Sequence, residues 1–180
     1  MSYQDMSVLD GGGFDDYAGG VVVDGGGFDD PGASALERMR AFVASFPYAD
    51  VLGELAIDYA DRVPDCGGLF PSGLVEVRRR TDLLGNVTCE DQYNFALYTV
   101  LTKAPGEDAG ATWNAEWVMS FQEWVQERSA LGLAPTFGDD PRTERMAANN
   151  GQIYESDAEG WAVYAIQISA TFTKRYEKGI

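Results

Sequence analysis

The chain has 180 residues, 45% hydrophobic and 12% aromatic, which suits one domain with its own core plus an extension. Its 13 basic and 29 acidic side chains leave a net charge of −16, with no histidine. Such a surface repels phosphate, which argues against sequence-specific nucleic-acid binding, while negative walls would suit a passage through which DNA slides without sticking.

Residues 1–32 stand apart from the rest. They hold nine glycines and seven aspartates but no Lys or Arg. Asp10-Gly11-Gly12-Gly13-Phe14-Asp15-Asp16 recurs without change as Asp24-Gly25-Gly26-Gly27-Phe28-Asp29-Asp30. Val21-Val22-Val23 lies between the copies as the one strand-like triplet. Glycine entropy and aspartate repulsion keep such a segment from building a core alone. An acidic linker is one reading. A calcium loop is another, although the acidic spacing fits neither an EF-hand nor the glycine-aspartate calcium repeats. The third is an arm that orders against a neighbour, with Phe14 and Phe28 as anchors and Val22 at the centre of an added strand.

The domain proper spans residues 33–180 and opens at a capping box, Ser34-x-x-Glu37. Leu36, Met39, Val43 and Phe46 follow at helical spacing, and Pro47 ends the helix. Leu55, Ile57 and Tyr59 alternate with Ala56, Asp58 and Ala60, which predicts a first strand. Pro64 to Gly73 reads as a loop, and residues 74–80 as a second strand. Residues 92–103 predict a third strand, apolar on both faces and therefore central, with a helix on one side and a further subunit or more core on the other.

Lys103 to Gly110 reads as a polar loop. Thr112 is the expected cap of a long helix whose stripe is Trp113, Trp117, Phe121 and Trp124, ended by Gly132 and Pro135. That spacing makes the tryptophans core, not a stacking platform. A fourth strand is expected between Glu144 and Glu155, bulged near Asn149-Asn150-Gly151. Ser156 to Gly160 reads as a turn. In the last strand Tyr164, Ile166, Ile168, Ala170 and Phe172 alternate with small and polar residues. The fold class is therefore α+β: a mainly antiparallel sheet of about five strands, in the order α-β-β-β-α-β-β, with both helices on one face.

Little in the sequence carries chemistry. Cys66 and Cys89 lack a metal-binding spacing and read as reduced thiols, and without histidine no imidazole-based triad is available. Asp139-Asp140 and Asp15-Asp16 sit beside Gly and Pro, where aspartate is a turn residue. No phosphate loop or dinucleotide fingerprint is present. No catalytic, metal or cofactor site is expected, and no apolar run approaches the roughly 20 residues of a membrane span. One basic cluster remains, Arg78-Arg79-Arg80. It reads either as a solvated strand end or as a patch that meets carboxylates of an adjacent copy. Strict alternation would put Arg78 and Arg80 on the face of Glu76, and Arg79 on the face of Val75 and Val77.

Several of these segments resemble the tail-terminator proteins of long-tailed bacteriophages, also grouped as minor capsid or head–tail joining proteins. The resemblance is carried by Phe121-Gln122-Glu123-Trp124-Val125, by Leu131-Gly132-Leu133-Ala134-Pro135, and by Tyr164-Ala165-Ile166-Gln167-Ile168 with Tyr176 at its tail. Leu55-Ala56-Ile57-Asp58-Tyr59 and the aromatic third strand fall where that family's strands fall. The resemblance implies a virion protein without enzymatic activity, made in the host cytoplasm. It would form a ring, usually a hexamer, that caps the tail tube and meets the head-completion or neck protein while genomic DNA passes through. A head-completion or tail-tube subunit is the alternative within the same assembly. A small carboxylate-based metal hydrolase is the alternative from another class. The glycine-aspartate arm is not part of that family's pattern.

Overall fold

The computed structural model describes residues 33–53, 55–58, 63–102, 108–156 and 160–179. Phe14, Val22 and Phe28, the repeats around them, Tyr59 and Ala60 of the expected first strand, and most of the expected 103–110 loop lie outside the described residues, as does the centre of the 156–160 turn.

The chain runs α1 (Ala35–Ala44), β1 (Leu55–Ile57), β2 (Cys66–Thr81), β3 (Val87–Thr102), α2 (Asp108–Ala130), β4 (Arg145–Ser156) and β5 (Trp161–Tyr176), with short 3-10 turns before β1 and β4. The five strands form one sheet in the order β1-β2-β3-β5-β4. All neighbours are antiparallel except β1, whose Leu55–Ile57 runs parallel to Gly67–Leu69 of β2. The β1–β2 pair is the parallel exception in the mainly antiparallel sheet that the sequence predicts. Here the chain turns at Asp58 and again at Asp65, both left-handed (φ 54° and 63°), and re-enters beside itself in the same direction.

α1 begins where its capping box places it, with Ser34 Oγ accepting from the Glu37 amide and Glu37 Oε2 accepting from the Ser34 amide. Its Met39, Phe42 and Val43 are fully buried. α2 starts at Asp108, about one turn ahead of the expected Thr112 cap, since Ala109 and Ala111 favour a helix and carry it through Gly110. Its end is a Schellman motif: the Leu133 amide donates to Arg128 O and the Gly132 amide to Ser129 O, with Gly132 at φ 69°.

Trp113 is not in the buried stripe and is half exposed. In projection Trp113 lies only about 20° from Trp124, so the spacing does not separate them; Trp113 stands a full turn ahead of Trp117, the first ring of α2 that reaches Phe46. Asn114 takes the buried place and donates to Thr102 O at 3.0 Å.

Both helices pack on one sheet face. The core joins Phe42 and Phe46 to Trp117, Phe121 and Trp124, and these to Leu97, Ile166, Ile168 and Phe172 of the strands. β3 is central, as its two apolar faces demand. In β4 the register shifts between Asn149 and Gln152, and Asn150 adopts φ 54°. The bulge presses the backbone onto α2, so that a Cβ at Gly151 would collide with Val118.

The expected Pro64–Gly73 loop is largely strand, since β2 already begins at Cys66. β1 covers only Gly67–Leu69, so among the described residues β2 is an edge strand from Phe70 onward. An edge tolerates the missing amide of Pro71, and a register shift between Pro71 and Gly73 absorbs the irregularity.

Candidate interaction surface

β2 and β3 form a hairpin of two 16-residue strands, and every residue of β2 from Pro71 to Thr81 is exposed. Asp82 closes its turn. Its Oδ1 accepts from the Leu84 and Asn86 amides, each at 2.9 Å, and its Oδ2 accepts from Asn86 Nδ2. These bonds hold the Asp82 carboxyl below its ordinary range, with the Asn86 side chain as the largest cause. The turn presents Leu83 and Leu84 to solvent, and the strand behind it presents Leu74, Val75 and Val77. Five large apolar side chains exposed along one hairpin, from strand to turn, differ from the single exposed apolars that any surface carries.

Arg78, Arg79 and Arg80 lie on this hairpin, but not on the faces that alternation assigns. Val77 is a bulge: Glu76 pairs with Asp91 and Arg78 with Glu90, leaving Val77 without an opposite number. The extra residue reverses the alternation beyond it. Arg79 therefore shares the face of Glu76 and pairs with it, Nη2 to Oε2 at 2.7 Å, while Arg78 and Arg80 point to the other face. Arg79 holds the Glu76 carboxyl below its usual value. The buried Cys89 sits opposite Arg79, its Sγ 3.7 Å from Glu76 Oε2. Burial, then the Glu76 charge, pushes that thiol up, so it is not an activated nucleophile. Among the described residues neither Arg78 nor Arg80 makes an ion pair.

Cys66 pairs with Val100, eleven positions along β3 from Cys89. The two thiols are therefore separated by most of the length of the strand, far beyond disulfide reach.

The sheet face away from the helices holds a second feature. Phe70 of β2, Tyr98 of β3 and Tyr154 of β4 form a row, with ring centroids 5.1 and 5.3 Å apart in edge-on contacts. Tyr154 reaches Tyr98 across Ala165 of β5, which is small enough to allow it. Phe70 and Tyr98 are half-buried and Tyr154 is 64% exposed. Among the described residues no helix lies on this face.

The aromatic row was not visible in the sequence, because Phe70 sits in a segment read as loop and its strand partners are far away in sequence. Leu83-Leu84 ahead of Gly85-Asn86 was the available signal for the tip: adjacent leucines in a turn have no core to enter.

Among the described residues no group of acidic or thiol side chains is arranged to hold a metal ion, and no helix is long and apolar enough to cross a membrane. No protein-family model matches the chain, and no curated protein matches it.

Proposed function

We propose that this chain is a structural subunit of a tail-terminator type, assembling with copies of itself into a ring that caps a phage tail tube and meets the neck. The observation that carries this reading is the open β2 side of the β2–β3 hairpin, along which Leu74, Val75, Val77, Leu83 and Leu84 are all exposed. A hairpin of this kind suits insertion against a neighbouring copy, where the apolar side chains leave water. The Phe70–Tyr98–Tyr154 row offers a second apolar surface on the opposite side from the helices, and aromatic side chains are favoured interface anchors.

The element order, the net charge of −16 and the resemblance of the α2 and β5 segments support the same reading. On it, the arginines of β2 meet carboxylates and not phosphates, and DNA passes the acidic ring without specific contacts. The protein belongs to the virion at the tail–neck junction. A tail-tube or head-completion subunit is the nearest competitor.

Negative-stain electron microscopy of the purified protein at rising concentration separates the readings. A terminator gives closed rings of uniform diameter, hexameric on the family pattern. Open-ended stacks would assign the chain to the tube instead. Monomers at every concentration, with or without tube present, would remove the whole reading.

A further inference from the structure

The outer edge of β2 is open over the described residues from Phe70 to Thr81, because β1 pairs only with Gly67–Leu69. An unpaired edge this long, with apolar side chains on it, is a template for another strand. Two bulges, between Pro71 and Gly73 and between Glu76 and Arg78, divide the regular backbone into two four-residue stretches, Gly73–Glu76 and Arg78–Thr81, of which the first carries the apolar Leu74 and Val75. Only a very short strand fits that window. Immediately beyond it stand Arg78 and Arg80, which have no ion-pair partner among the described residues.

One segment of this chain matches the site in length, in side-chain character and in charge. Val21-Val22-Val23 is a three-residue β-branched run, followed at once by Asp24, in a 32-residue stretch with seven aspartates and no basic residue. We infer that Val21–Val23 of the same chain pairs with the outer edge of β2 at Gly73–Glu76, placing Asp24 beside Arg78. The strand runs parallel to β2, as β1 does farther along the same edge.

The tether permits this. Ala33 is fixed near Thr136, because Arg38 donates through Nε to Ala33 O and through Nη1 to Thr136 O at 2.6 Å. Phe137 in turn packs on Phe172 of β5 and Tyr93 of β3. Phe172 lies opposite Asp91, and Asp91 opposite Glu76, so the anchored end is level with the proposed site, and the added strand is three strand spacings from Phe172. Three spacings amount to about 15 Å, and the sheet-to-helix offset to about 10 Å more. The ten steps from Val23 to Ala33 reach about 33 Å when extended. A tether that spans the gap raises the effective concentration of the strand well above that of a separate copy. Seated there, the acidic arm covers an edge that would otherwise recruit stray strands, and neutralises part of the arginine cluster.

The inference stands apart from the tail-terminator reading, and its test uses the purified full-length chain without any tail component. A benzophenone-bearing side chain in place of Val22 is irradiated and its cross-links are mapped by mass spectrometry in a sample mixing light and 15N-labelled chains. The expected cross-links fall between Ser72 and Val77 and join light to light and heavy to heavy. An Arg78→Glu, Arg80→Glu background loses them, and adding Asp24→Arg restores them. Arg78→Gln, Arg80→Gln serves the same purpose if charge reversal prevents folding. Cross-links elsewhere, cross-links between light and heavy chains, or a pattern indifferent to the arginines would each overturn the assignment.

Discussion

Trp124 is where α2 meets α1. Its ring stacks on Phe42 with centroids 4.6 Å apart, touches Phe46 and Phe121, and carries the Arg128 guanidinium at 5.8 Å. It is buried, and its Nε1 finds no acceptor among the described residues. Trp124→Ala should therefore cost about 3–5 kcal/mol, because the surrounding rings cannot close the cavity. Trp124→Phe removes the unpaired N–H along with part of the ring, and should cost clearly less. Trp113→Ala, at a half-exposed position in the same helix, should stay within about 0.5 kcal/mol. Denaturant melts of the three variants check the ordering. If Trp113 cost as much as Trp124, the helix face would be misassigned.

At the scale of elements, the hairpin is the part most open to perturbation by pH. The Glu76 carboxyl is held below its usual value by Arg79, and that of Asp82 by Asn86 and the turn amides. A carboxyl with a depressed folded pKa contributes stability that is fully present above its unfolded value. The contribution is lost as pH falls through the folded one. Unfolded values near about 4.3 for Glu and 3.9 for Asp place the loss below about pH 4. Both groups are exposed, so the effect should be local. Amide protection factors at Val87–Glu90 should drop in that window while the Leu97 and Ile166 amides keep theirs. Asp82→Ala should produce the same local loss at neutral pH, and equal loss at Leu97 would contradict it.

Much of this element structure was legible in the sequence. The capping box, the β5 alternation, the β4 bulge at Asn149–Gly151 and the Gly132 terminus each rest on local chemistry, and local chemistry is what a sequence displays. The misreadings share a different cause. Pro71 and Gly73 look like loop residues, and a strand tolerates them because no described strand pairs with β2 beyond Leu69 and a bulge separates them. Val77 looks like any strand valine, and its bulge, which moves Arg79 onto the face of Glu76, depends on the pairing with β3. The Phe70–Tyr98–Tyr154 row needs three strands brought together before it exists.

For the whole molecule, the apolar hairpin tip makes a separable prediction. Leu83 and Leu84 touch no core, being 106% and 82% exposed. A Leu83→Ser, Leu84→Ser variant should keep the melting temperature of the parent and lose self-association, as read by sedimentation velocity. Association unchanged by the double variant would move the contact elsewhere. The net charge of −16 predicts in addition that the protein does not retain duplex DNA at physiological salt, in a gel-shift assay.

On the tail-terminator proposal, a ring of this protein stops the growth of a tail tube. The direct measurement adds the full-length protein to a polymerising tail-tube subunit and follows tube length and tube ends by electron microscopy. Growth should stop, with a ring of density on one end of each tube. Tubes that lengthen as they do without the protein, and whose ends stay bare, would contradict it.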